Sequence, residues 1–161
     1  LRKHYVSLRI FFLITLICLQ GNPVWADAEN PETTLATALK IGPCPETRLT
    51  HRAPTNFLRM GSPLEDTPLN LRLGENLYHL DTQPACKSCH GVRGNGMGDK
   101  SKEMNPPPRN FTCSYTMKEI SDGQMFWIIR YGSPHTPMPK YEELYDEQIW
   151  QLILYIRHLS K

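Results

Sequence analysis

Cys86-Lys87-Ser88-Cys89-His90 constrains this chain more than any other stretch of it. The pattern C-x-x-C-H is the attachment signature of a c-type haem. Two thiols three positions apart fall on one helical turn, where both reach the vinyl groups of one porphyrin. The adjacent histidine then lies beneath the iron. A zinc site would want a second Cys/His pair at matching spacing, and none follows. A thioredoxin-like C-x-x-C wants a preceding strand and a βαβ context, which the surrounding residues lack. The motif occurs once, so the expectation is one covalent haem c per chain, on Cys86 and Cys89, with His90 as an iron ligand.

The compartment implied by the rest of the sequence agrees with haem attachment after export. Arg2, Lys3 and Arg9 precede a short apolar run, Ile10–Leu19, and a polar segment ends at Val24-Trp25-Ala26. That order reads as a signal peptide over 1–26, cleaved after Ala26. The run is shorter than the roughly 20 residues that span a bilayer, so no membrane insertion is expected after cleavage. Cleavage removes three of the 18 basic residues and none of the 16 acids. The mature chain is then close to neutral, which argues against nucleic-acid binding. Of five cysteines, Cys18 leaves with the signal and two belong to the motif. Cys44 and Cys113 remain, an even pair in an oxidising compartment and hence a candidate disulfide.

Residues 27–66 carry Pro31, Pro43, Pro45, Pro54 and Pro63 and show little periodicity. They read as an extended arm with one short helix near 33–40. Phe57, Leu58, Met60 and Leu64 favour an arm packed on the domain; composition alone favours a disordered leader. A compact domain over 67–161 follows. Leu69, Leu73 and Leu77 predict a helix over Pro68–Leu80 with one apolar face, interrupted by Gly74 at a cost of about 1 kcal/mol relative to alanine. Residues 91–112 are rich in Gly, Asn and Pro and read as loop. A second helix is expected over Asp122–Tyr131, broken by Gly132-Ser133-Pro134. The last helix has Asp146 to cap it, Ile149, Leu152, Ile153 and Ile156 on one face, and Arg157, His158 and Lys161 at its negative end. Strand signals are few, so the fold class is all-α. Loops this long need something large at the centre of the domain, and a haem supplies it.

From about Leu69 onward the chain resembles the class I cytochrome c family. The likeness rests on a helix bearing Gly74 and Tyr78 ahead of Cys86-x-x-Cys89-His90-Gly91, a proline-rich loop, Met138-Pro139, and a closing helix with Trp150 and Tyr155. It implies a small helical domain wrapped around the haem, with the first and last helices crossing closely at the glycine. It also implies a methionine as the distal iron ligand. Met138, between Pro137 and Pro139, matches that position; His135, three residues earlier, and an open site are the alternatives. Met125 falls in a helix, where core packing is the simpler role; Met97 and Met104 are too near the motif to cross to the other haem face. In Pro106-Pro107-Pro108-Arg109-Asn110-Phe111 the likeness implies a backbone carbonyl that accepts the His90 imidazole N–H, expected from one of the prolines. Arg109 is a candidate contact for a haem propionate, or simply a solvated side chain.

A His/Met-ligated iron offers no position for a substrate, and the thioether favours the reduced state. No nucleophile or acid–base pair is apparent elsewhere in the sequence. The expected function is therefore periplasmic electron transfer between redox partner proteins, with no enzymatic activity of its own. The alternative is a dedicated haem subunit of a larger periplasmic oxidoreductase, for which the 27–66 extension is the main support. A ligand-binding haem protein is a third reading, and it requires Met138 to be off the iron.

Overall fold

The computed structural model describes residues 42–46, 50–80 and 85–161. The expected signal peptide over 1–26 and the short helix near 33–40 lie outside the described residues. Six α-helical segments occur among the described residues: α1 (Thr55–Leu58), α2 (Pro68–His79), α3 (Cys86–His90), α4 (Ser114–Met117), α5 (Asp122–Tyr131) and α6 (Asp146–Leu159), with a 3₁₀ segment at Asp99–Glu103 inside the long loop. None of the described residues forms a strand, so the domain is all-α, as its patterning implied. No described helix is long and apolar enough to cross a membrane.

The frame of the domain is the pair α2 and α6. Thr67 starts α2 by accepting the Asn70 amide on its side chain at 3.2 Å, and Pro68 occupies the first helical position, where a missing N–H costs nothing. The face that α2 turns inward differs from the one its leucines suggested. Gly74 and Tyr78 are buried, whereas Leu69 is 62% and Leu73 38% exposed. The reason is the crossing itself. A Cβ on Gly74 would run into the carbonyl oxygen of Gln151 and crowd the Tyr155 side chain. Only glycine lets the two backbones meet, and once they do the inward face of α2 runs along Leu71, Gly74 and Tyr78.

On α6, Ile149, Trp150, Leu152, Ile153, Tyr155 and Ile156 are all buried. Asp146 does not cap this helix. Tyr145 is the residue ahead of the first turn, and its amide is taken by the Gln148 side chain at 2.9 Å. Asp146, one position on, pairs instead with Arg130. Arg157 does more than complement the helix dipole. Its guanidinium donates to Asp122 at 2.8 Å, to the Met117 carbonyl at 2.6 Å and to the Ile120 carbonyl, tying α6 to α4 and α5.

The described part of the arm is packed. Phe57 stacks on Phe126 at 6.2 Å and meets Tyr131 edge-on at 5.7 Å. The Ala53 amide donates to the Gln124 side chain at 2.8 Å, and that amide group donates back to the His51 carbonyl at 2.9 Å. Gly123 makes the approach feasible, since a Cβ there would collide with the Phe57 carbonyl. Further up, Gly42 donates to the Asn95 carbonyl at 2.7 Å and accepts from the Asn110 side chain at 3.0 Å. Cys44 and Cys113 are joined as a disulfide with their Cα atoms 5.5 Å apart.

Candidate haem-binding site

The single turn of α3 carries Cys86 and Cys89 on one side and ends at His90, which is buried. All three line one cleft, whose atom-free volume is about 820 Å³ counted to its open mouth. Its walls are Tyr78 and Ala85 beside the motif, the Met104–Phe111 loop, the 133–141 segment with Met138, and Leu152 and Ile156 of α6. A second hollow of about 610 Å³ also borders both His90 and Met138, on the side of Met117, Met125 and Ile128.

The imidazole is oriented by its neighbours. His90 Nδ1 lies 3.0 Å from the Arg109 carbonyl oxygen. A carbonyl only accepts, so Nδ1 carries the proton and Nε2 keeps its lone pair for a metal. Phe111 stacks on the ring at 4.3 Å and 16°. The acceptor is therefore Arg109 and not one of the three prolines before it. The loop fixes which carbonyl points inward through its turn, a property that residue types do not announce. The Tyr78 hydroxyl donates to the Gly91 carbonyl at 2.7 Å and so holds the chain just past the motif.

Burial sets the electrostatics. It pushes the Cys86 thiol up to about 11 and the Cys89 thiol upward as well, the latter opposed by Lys100. Thiols held neutral in this way are poor thiolate nucleophiles. Among the described residues no three His, Cys, Asp or Glu side chains converge as a metal cluster. Burial also raises Tyr78 and Tyr141 far above the ordinary phenol range, keeping both neutral donors. Two cysteines at thioether spacing, an imidazole oriented through its Nδ1 and one thioether sulfur around an apolar cleft are the donor set that a c-type haem requires.

The rival ligands separate by position. Met138 borders both hollows, half-buried, with its amide held by the Thr136 hydroxyl at 3.2 Å and its carbonyl accepting from Ser133 at 3.2 Å. His135 borders neither. It turns outward at φ 59° and faces His51 of the arm, ring centroids 5.4 Å apart. Met104 does border the cleft, but from the loop that serves His90. Arg109 is not a solvated side chain. Its guanidinium pairs with Glu46 at 2.9 Å and donates to the Thr50 hydroxyl at 2.6 Å, leaving 13% of the side chain exposed. Glu46, Thr50 and Tyr141 are contributors that sequence reasoning missed. Only the position of Glu46, two residues past Cys44, hinted at anything.

A helical domain with a C-x-x-C-H turn, a buried imidazole and a facing methionine loop has the architecture of a c-type cytochrome. The model of the cytochrome c family matches residues 72–160. The chain belongs to the cytochrome c family. No curated protein matches it significantly. Among solved structures it is similar to a chain of the Kuenenia stuttgartiensis reducing HAO-like protein complex Kustc0457/Kustc0458, at a TM-score of 0.52 and 25% identity. That likeness covers 71% of this chain and 53% of the other, so this chain spans about half of its neighbour's length.

Proposed function

We propose that this protein transfers single electrons in the periplasm through one covalent haem c, bonded through Cys86 and Cys89 and ligated by His90 and Met138. When bound, the haem supplies one-electron exchange between ferrous and ferric iron. The chain's own residues do the rest. The Arg109 carbonyl accepts a hydrogen bond from His90 Nδ1–H and so leaves Nε2 as the nitrogen to hold the iron. Pro137 and Pro139 stiffen the segment that carries Met138. Tyr78, Phe111, Leu152 and Ile156 keep water from the cleft interior. The observation that carries the reading is that Cys86, Cys89, His90 and Met138 all border one cavity, while His135 lies outside it beside His51.

Export is supported by the pattern of residues 1–26 and by the disulfide, which is at home in an oxidising compartment. The test of ligation is refusal. The reduced wild-type protein is expected to bind no added carbon monoxide at neutral pH, because both axial positions are taken. Rapid binding of carbon monoxide by the wild type would contradict His/Met ligation and favour a ligand-binding role.

A second reading, a dedicated haem subunit of a larger oxidoreductase, is favoured by two observations. The similar solved chain belongs to a protein complex, and the packed arm lies outside residues 72–160, which suffice for the family domain. Purification from the native source separates the two. A carrier elutes alone, and a subunit elutes with its enzyme.

A further inference from the structure

We propose that Glu46, on the arm, is a positioning residue for the haem's proximal ligand, acting through Arg109 and Asn110. The inference rests on the reading of His90 as an iron ligand. Both carboxylate oxygens of Glu46 are used. Oε1 accepts the Asn110 amide at 2.9 Å, and Oε2 pairs with the Arg109 guanidinium at 2.9 Å. The two anchored groups flank the Arg109 carbonyl, which accepts the His90 Nδ1 proton at 3.0 Å. Only 6% of the Glu46 side chain is exposed. The clamp, one charge-assisted hydrogen bond to Asn110 and one ion pair with Arg109, thus acts in a low-dielectric setting, where both are strengthened.

Glu46 itself is fixed from two sides. The disulfide anchors the chain two residues before it, and its own amide donates to the Thr116 hydroxyl at 3.0 Å. None of the arm falls within residues 72–160, so this contact is an addition to the family domain. Its chemical consequence follows from outer-shell control of a ligating histidine. A well-held acceptor on Nδ1–H makes the imidazole a stronger donor and fixes its orientation. A stronger donor favours ferric iron, so loosening the clamp raises the midpoint potential.

The test uses the haem-loaded full-length mature protein in its reduced, diamagnetic state, with solvent exchange of the His90 Nδ1 proton followed by NMR. Glu46→Gln and Glu46→Asp are compared with wild type and with Thr50→Val, which removes a different side-chain contact of Arg109. Glu46→Gln is expected to speed exchange by about tenfold, the order of effect that an outer-shell partner has on the affinity of a ligated metal, and to raise the potential. Glu46→Asp keeps the charge but is too short to span both groups. Any rise in its potential therefore reports the hydrogen bond and not the lost charge, and it is expected to exchange faster than wild type. This variant also decides the matter should Glu46→Gln fail to fold. Exchange at the wild-type rate in both Glu46 variants, or equal acceleration in Thr50→Val, would overturn the proposal. A wild type with no histidine-ligated haem would instead overturn the ligation beneath it.

Discussion

Replacing Met138 by alanine is expected to turn a protein that refuses carbon monoxide into one that binds it, and to lower the midpoint potential. The thioether stabilises ferrous iron, and its removal leaves an axial position to water or an added ligand. The segment should survive the change. Its shape is held by Pro137 and Pro139 and by hydrogen bonds from the Met138 amide to Thr136 and from the Ser133 amide to the Met138 carbonyl. These involve backbone atoms of residue 138 and are kept by alanine. Truncating a half-buried methionine costs about 2 kcal/mol, the low end for a large-to-small core change. Carbon monoxide binding and a redox titration check the result, with His135→Ala as the companion. His135 faces His51 outside both hollows, so its loss should leave spectrum and potential close to wild type. The reverse pattern, a changed spectrum in His135→Ala and none in Met138→Ala, would assign the ligand to the histidine.

Replacing Cys44 by serine is expected to give the largest loss of stability. The bond closes a loop with a sequence separation of 69, for which chain entropy predicts a contribution of about 4 kcal/mol. That figure is an upper value, because a covalent haem already restricts part of the unfolded loop. The loss should be felt first in the arm. Ala53, Phe57 and Gln124 keep its far end docked, but Gly42 and Glu46 lose the covalent anchor between them. Limited proteolysis is therefore expected to cut within residues 42–66 in Cys44→Ser and not in wild type. The absorption spectrum should hardly change, since neither proposed iron ligand comes from the arm. Cleavage patterns that match in the two proteins would mean that packing alone holds the arm.

Where local chemistry decides, the sequence was readable. The C-x-x-C-H turn announces α3, and α5 runs over Asp122–Tyr131 as expected, ended at Gly132. Gly74, an unfavourable residue inside a helix, pointed to the contact with Gln151. Where tertiary geometry decides, the sequence misled or fell silent. The leucines at 69 and 73 look like a core stripe, yet the helix crossing rotates them outward. Asp146 is a sound capping residue by type, but Gln148 reaches the Tyr145 amide and Arg130 claims the aspartate. The carbonyl that receives His90 depends on how the loop turns, and no side chain encodes it. Arg109 looked like a partner for propionate or water; its Glu46 partner, 63 positions away, is brought to it by folding and the disulfide.

The central claim is that one haem is bonded covalently to this chain. The most direct measurement is the intact mass of the mature protein after denaturation and acid–acetone extraction, paired with haem staining of a denaturing gel. The predicted result is the polypeptide mass plus one haem, with the stain following the band, and with attachment weakened or lost in Cys86→Ser. Complete extraction of the haem from wild-type protein, leaving Cys86 and Cys89 open to alkylation, would contradict the account at its root.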